Sequence, residues 1–192
     1  NNIFTYHNLG ASNLLANRPV SSNFTASSLM SYFVRANYTY AGKYYATATA
    51  RYDGSSKFSD GNRWGIFPSF SLAWNVAEED FMKDQNIFDL LKMRFGFGMV
   101  GNQEIDDYSF LTLYKPSVTE GETTYVPDNK KGNGEISWEA QRQFNLGIDM
   151  GFLSNKIRAS VDLFHITNDD LLMTRDINTS SGFKTMVENV GA

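Results

Sequence analysis

Six stretches of this chain alternate apolar and polar residues almost without error, and the connections between them are short and long in turn. Tyr44, Ala46, Ala48, Ala50 and Tyr52 share one face of a strand, while Lys43, Thr47, Thr49, Arg51 and Asp53 share the other. The pattern predicts strands over Met30–Tyr40, Lys43–Asp53, Trp64–Val76, Leu90–Gly101, Trp138–Phe152 and Lys156–Asn168. A strand of about eleven residues, at about 3.4 Å each and tilted by about 45°, rises about 26 Å, close to the apolar band of an outer-membrane barrel. The expected fold is therefore all-β: an antiparallel up-and-down transmembrane β-barrel segment with lipid on one side and water on the other.

Facing tests the turns, because a one-residue slip exchanges the two faces of a strand. Tyr40 and Tyr44 face the same way only across an odd loop, and Ala41-Gly42-Lys43 supplies three residues, with a glycine free to take positive φ. Phe152 and Ile157 need an even loop, and Leu153-Ser154-Asn155-Lys156 supplies four. These tight turns are assigned to the periplasmic end, together with 77–89, where a helical turn is expected around Glu78–Met82. The longer polar connections, 54–63, 102–137 and the region after Asp169, are assigned outside the cell. Tyr108–Tyr114 and Ile3–Asn8 are candidate short strands. Tyr40, Tyr44, Trp74 and Phe152 fall near one end of the apolar faces, and Tyr52, Trp64 and Trp138 near the other, as interfacial girdles would. Phe33, Tyr45 and Phe67 break the pattern towards the polar side and Arg142 towards the apolar one, and the loss of alternation over Asp162–Ile166 suggests a bulge near Leu163 or a strand emerging above the bilayer.

Composition narrows the classes. With 42% hydrophobic residues and 15% aromatics in 192 residues, the chain is not a disordered polypeptide. Its mean hydropathy of -0.36 averages a strand's two faces and so does not argue against a membrane location. No apolar run reaches the roughly 20 residues that a spanning helix needs. A net charge of -4 without a basic patch argues against nucleic-acid binding. With no cysteine there is neither a disulfide framework nor a thiolate metal site. The first residues show no signal peptide, so an exported protein beginning here is expected to be a processed or internal piece.

Longer motifs then carry a family likeness. Arg51–Phe58 reads R-Y-D-G-S-S-K-F, Asn62–Trp74 reads N-R-W-G-I-F-P-S-F-S-L-A-W, and Glu78–Met82 reads E-E-D-F-M. Leu90–Ile105, Ser137–Asp149 and Val161–Leu172 follow in the same order. Over roughly residues 28–191 the chain resembles the SusC/RagA family of TonB-linked (TonB-dependent) outer-membrane transporters. The resemblance implies an internal fragment of a plugged barrel of about 22 strands, Gram-negative outer-membrane localisation, a SusD-like surface lipoprotein partner, and TonB-energised uptake of an oligosaccharide or peptide. Residues 1–192 are then expected to be part of the receptor's β-barrel domain, without a plug domain, TonB box or C-terminal closing strand. Their expected role is barrel wall and extracellular loops, with TonB engaged through parts absent from the chain. Two other readings stand beside it: a soluble β-barrel or sandwich binding a small apolar ligand, and a surface barrel without transport.

Catalytic signals are weak. Gly96, Gly98 and Gly101 spell G-x-G-x-x-G, but no apolar helix follows as a dinucleotide site requires. On a strand Gly96 and Gly98 share the polar face, leaving room there. His7 and His165 lack companions for a metal site, so no metal or cofactor is expected. The acidic pairs Glu78-Glu79, Asp106-Asp107 and Asp169-Asp170 read as solvated loop charges, and the sequons at Asn23, Asn37 and Asn178 as chance. No nucleophile lies in a recognisable motif, and the chain is read as non-enzymatic. The candidate functional set is the polar, lumen-facing row Arg35, Asn37, Arg51, Lys92, Arg94, Gln141, Gln143, Asn145 and Asp149, for contact with a plug or a passing substrate. Loop residues Tyr108, Tyr114, Tyr125 and Asp128 are candidate contacts for substrate or lipoprotein.

Overall fold

The computed structural model describes residues 24–85, 87–119 and 122–191. Among these residues all regular structure other than single 3₁₀ turns is β: β1 (Leu29–Tyr40), β2 (Tyr44–Ser55), β3 (Trp64–Asn75), β4 (Leu90–Asn102), β5 (Tyr114–Thr119), β6 (Glu122–Pro127), β7 (Lys130–Lys131), β8 (Glu139–Phe152), β9 (Ile157–Asp169), β10 (Leu171–Asp176) and β11 (Thr185–Val190). The six long strands form one antiparallel sheet in the order β1-β2-β3-β4-β8-β9; β10-β11-β7 and β5-β6 form two smaller sheets.

This arrangement corrects the expected fold. None of the three sheets closes on itself: β1 and β9 stand at opposite edges of the large sheet, with no ladder between them. A closed barrel needs its first and last strands to pair, and about eight strands give an interior just wide enough for side chains to fill. The transmembrane β-barrel segment, the internal barrel fragment and the role of barrel wall are therefore replaced by an open β-sheet. A soluble barrel is excluded by the same lack of closure. No helix among the described residues is long and apolar enough to cross a membrane, which does not bear on strands.

The turns explain the register. Tyr40 pairs with Tyr44 across the three-residue loop, in which Ala41 and Gly42 take φ of 52° and 68°. Phe152 pairs with Ile157 across four residues, of which Leu153, Ser154 and Asn155 all have positive φ. From these turns the ladders run without a bulge, and the one expected near Leu163 is absent because Leu163 pairs directly with Leu146. The helical turn after β3 is two 3₁₀ turns, Val76–Glu78 and Asp80–Met82. Of the candidate strand ending at Tyr114, only Tyr114 itself is in a strand, as the first residue of β5. Residues 108–113 form none, since Tyr108 has φ of 63° and starts a turn closed by Leu111 N–H donating to its carbonyl. The candidate strand at Ile3–Asn8 and His7 lie outside the described residues.

One face of the sheet is an apolar ring ladder. Tyr52 stacks on Trp64 at 4.7 Å near one end, Phe70 contacts Phe95 and Phe97 at 5.6 Å each in the middle, and Tyr44 stacks on Trp74 at 6.3 Å at the other end. No element among the described residues covers this face, and Val34, Ile66 and Leu72 remain 67%, 64% and 51% exposed. The buried core lies instead where the long connections gather: Phe58, Phe67, Ile136, Trp138 and Val187, with Met99, Ile105, Phe110 and Leu172 packed against them. Trp138 belongs here rather than to a girdle. Its indole lies 5.2 Å from Phe58 and donates to the Arg63 carbonyl. Asn189 on β11 locks the same region by exchanging two hydrogen bonds with the Ser137 backbone and donating to the Asp170 carbonyl.

Candidate functional site

The other face of the sheet is polar, and the register sets its side chains in rows across the strands. One row runs Arg35, Thr49, Ser69, Gly98 and Gln143; the next runs Asn37, Thr47, Ser71, Gly96 and Asn145. Five adjacent strands, β1, β2, β3, β4 and β8, contribute one residue to each row. The centre of both rows is low, because serine and glycine meet there, and a hollow of about 370 Å³ opens above it. Along its rim the Arg35 Nε–H donates to Thr49 Oγ1 (3.2 Å), Thr47 donates to Asn37 Oδ1 (2.9 Å), and the Gln143 amide donates to Asn145 Oδ1 (2.9 Å).

Beside the hollow lies an ion-pair network. The Arg94 guanidinium forms a fork with Asp149 (2.8 and 3.0 Å) and reaches Asp162 at 2.9 Å, while Ser160 donates to Asp149 Oδ1 at 2.8 Å. The guanidinium lies over Gly147, where an added Cβ would fall 2.8 Å from the Arg94 Cζ. Lys92 stands 5.3 Å above the Tyr45 ring, which gives that aromatic a reason to sit on the polar face. Arg51 donates to Asp53, whose carboxylate is buried. The structure thus brings Arg35, Gln141, Gln143 and Asn145 to the hollow and Lys92, Arg94 and Asp149 to its flank, with Asn37 set beside it through its bond from Thr47 and Arg51 bonded to Asp53 along β2.

Sequence reasoning missed Asp162, Ser160 and the small floor residues Ser69 and Ser71. The signal for Asp162 was available: counting from the Phe152–Ile157 hairpin places Arg158, Ser160 and Asp162 on the polar face, whereas the expected bulge obscured it. Arg142, on the apolar side by parity, is neutralised by an ion pair with Asp169 on the adjacent strand.

At the sheet end carrying the β1–β2 hairpin, Glu79 forms a clasp. Tyr44 and Trp74 Nε1 donate to its Oε1 and Lys43 to its Oε2. The Tyr44 bond foremost, then those from Trp74 and Lys43, hold the Glu79 carboxyl at a pKa of about 2, and the same carboxylate raises that of Lys43. The four loop candidates do not form one cluster. Tyr114 and Tyr125 share one face of the β5-β6 hairpin and are exposed, Asp128 pairs with Lys115 at 3.0 Å, and Tyr108 donates to the Ala26 carbonyl.

A family model described as "TonB dependent receptor-like, beta-barrel" matches residues 1–192. The chain belongs to this family. Among curated relatives it is 40% identical over 176 residues to the TonB-dependent receptor SusC of Bacteroides thetaiotaomicron, covering 88% of this chain and 18% of SusC. It is 35% identical over 190 residues to a TonB-dependent receptor of Formosa agariphila, covering 99% of this chain and 18% of that receptor. Its sheet superposes on the structure of the RagAB peptide transporter with a TM-score of 0.79 and 31% identity, over 86% of this chain and 18% of that one. The chain thus spans about a fifth of the length of these relatives, and the barrel of the family description is not closed by these residues alone. Family membership places the receptor in the Gram-negative outer membrane. The family's members are non-catalytic transport proteins, and among the described residues no cluster of metal-binding side chains occurs.

Proposed function

We propose that residues 1–192 belong to the β-barrel domain of a longer nutrient-uptake receptor of the SusC/RagA type, in which the described strands form an open sheet with a polar, solute-accessible face. The observation that carries this reading is the family match over the whole chain, at about a fifth of its relatives' length. The whole receptor takes up an oligosaccharide or a peptide, draws its energy from TonB, and works with a SusD-like surface lipoprotein. The identity to SusC and the likeness to a peptide transporter both support uptake and leave the two solute classes side by side. Arg35, Asn37, Gln141, Gln143 and Asn145 contact solute or another segment of the receptor, and the exposed pair Tyr114 and Tyr125 contacts solute or lipoprotein.

The test is made in cells carrying the full-length receptor. Deleting its gene should abolish uptake of at least one class among fluorescent oligopeptides and oligosaccharides, and full-length complementation should restore it. Removing the TonB system should abolish the same uptake, and affinity capture of the receptor should recover a lipoprotein. Unchanged uptake of every solute in the deletion strain refutes the reading.

A further inference from the structure

We propose that the two-row hollow on the polar face is a binding subsite for an extended, otherwise uncharged solute bearing a carboxylate, with Arg35 as the carboxylate's partner; this rests on the receptor reading above.

Glycine inside a strand costs about 0.5–1 kcal/mol relative to alanine and needs a reason. At Gly65, Gly101 and Gly147 the reason is packing, since an added Cβ would fall within 3.0 Å of a neighbouring side chain. At Gly96 and Gly98 it is not. A Cβ on Gly96 would meet only Asn145 at 3.8 Å or beyond, and one on Gly98 only Ser69 at 3.8 Å, both ordinary contacts. Neither glycine has a positive φ. What the missing side chains preserve is the space itself, and they do so beside Ser69 and Ser71, the partners of Gly98 and Gly96 across β3–β4.

The lining decides what fits that space. Thr47, Thr49, Ser69 and Ser71 supply hydroxyls, Gln141, Gln143 and Asn145 supply amides, and Val100 adds an apolar side chain, so the hollow can both donate and accept hydrogen bonds. The two rows contain one charge, Arg35, at their β1 end. Its Nε is spent on Thr49, and among the described residues no carboxylate lies within ion-pair distance of it or of Arg158 on the edge strand β9, whereas Arg51, Arg63, Arg94, Arg142 and Arg175 each have one. Held by Nε, the guanidinium offers its terminal nitrogens as the fork that matches a carboxylate. From Arg35 to Gln143 the row crosses four strand spacings of about 4.8 Å, or about 19 Å, so an extended oligomer laid across the strands can meet the whole row in turn. Carboxylates of this kind come from a peptide terminus or from a uronic acid unit.

The experiment uses the full-length receptor in detergent or nanodiscs and four probes: an acetylated peptide with uncharged side chains and a free C-terminal carboxylate, its amide, a uronate oligosaccharide, and its methyl ester. At least one acid should bind tenfold or more tightly than its neutral counterpart. Arg35→Gln should remove that preference, weakening the acid tenfold or more relative to its neutral counterpart. Gly98→Val, checked for an intact sheet by circular dichroism, should weaken acid and neutral forms together by filling the hollow. The acid that shows the preference identifies the source. Ser71→Cys, in a receptor otherwise free of reactive thiols, should react with a small charged thiol reagent and be protected by the bound acid. Equal affinity for acid and neutral forms, a preference untouched by Arg35→Gln, or an unreactive Ser71→Cys overturns the proposal. Continued uptake of neutral solutes in that event would leave the receptor reading standing.

Discussion

Replacing Gly101 by alanine should loosen the buried cluster that joins the long connections to the sheet. Beyond the Ser69–Gly98 pair, β3 and β4 are no longer paired. The Phe67 ring fills the resulting space so closely that a Cβ on Gly101 would fall 2.1 Å from its Cζ. Ordinary contact begins at 3.4 Å, so the ring would have to retreat by 1.3 Å. It has little room to do so: Phe67 is 5% exposed and meets Trp138 edge-on at 5.4 Å, and Trp138 is itself tied to the Arg63 carbonyl. Overpacking of this kind costs about 1–3 kcal/mol, and the gain from replacing a strand glycine returns about 0.5–1. A net loss of about 1–2 kcal/mol corresponds to roughly 5–30-fold faster hydrogen exchange in 99–102 and 138–141 of the full-length receptor, if that region opens as a local unit. Gly96→Ala is the control with the opposite sign, because its Cβ would meet only Asn145, at an ordinary 3.8 Å, and it should slow exchange slightly. Phe67→Leu should relieve the Gly101→Ala penalty, giving a coupling above about 1 kcal/mol in the double-mutant cycle. Exchange in Gly101→Ala as slow as in the parent would refute the packing argument.

The Glu79 clasp has a pH signature. Its folded pKa lies below the ordinary value of 4.5, so its contribution is fully present above about pH 4.5 and is lost as the pH falls through about 2. Trp74 fluorescence should report the transition near the lower value; a midpoint near 4.5 would show that the three donors do not hold the carboxylate, and Glu79→Gln should remove the transition and speed proteolysis within 76–82. In the Arg94 network, Asp149→Asn breaks the fork and should cost about 1–2 kcal/mol, whereas Asp162→Asn, at the more exposed carboxylate, should cost less than about 1. Denaturant unfolding in detergent that ranks the two variants the other way would contradict the assigned geometry.

The long strands were legible because period-two alternation and loop parity are local properties. Three residues after Tyr40 and four after Phe152 are enough to fix the faces of β2 relative to β1 and of β9 relative to β8. Within a strand the same alternation puts Arg35 with Asn37 and Gln143 with Asn145 on one face, whereas their rows across the sheet depend on the registers of β2, β3 and β4 between them. Closure is not local. Whether β1 meets another strand depends on residues far away in sequence, and an alternating strand reads the same in a barrel as in an open sheet. The small core was illegible for a related reason: Phe58, Ile136 and Val187 lie in or after long connections, where no periodicity announces burial. Trp138 misled because an aromatic at the end of an apolar face looks the same whether it lies at an interface or beneath a loop.

The two free edges make a last prediction that follows from the open topology itself. Edge strands that are meant to remain unpaired are usually short, bulged, interrupted by proline or loaded with charge. Edge β1 has twelve residues, no proline and no charge other than Arg35, and β9 runs for thirteen residues without proline or bulge. Both therefore present long rows of backbone donors and acceptors that no strand among the described residues satisfies, next to an apolar face that none of them covers. Excised from the longer receptor and refolded without detergent, residues 1–192 should self-associate through those edges and bind an amyloid-sensitive dye. Val34→Lys with Ala36→Lys, which adds charge to the exposed apolar side of β1, should reduce the association more than Thr49→Lys in the sheet interior. A monodisperse monomer from the unmodified chain would mean that the edges are protected by the residues themselves, and the open sheet would then be a finished fold rather than part of a larger one.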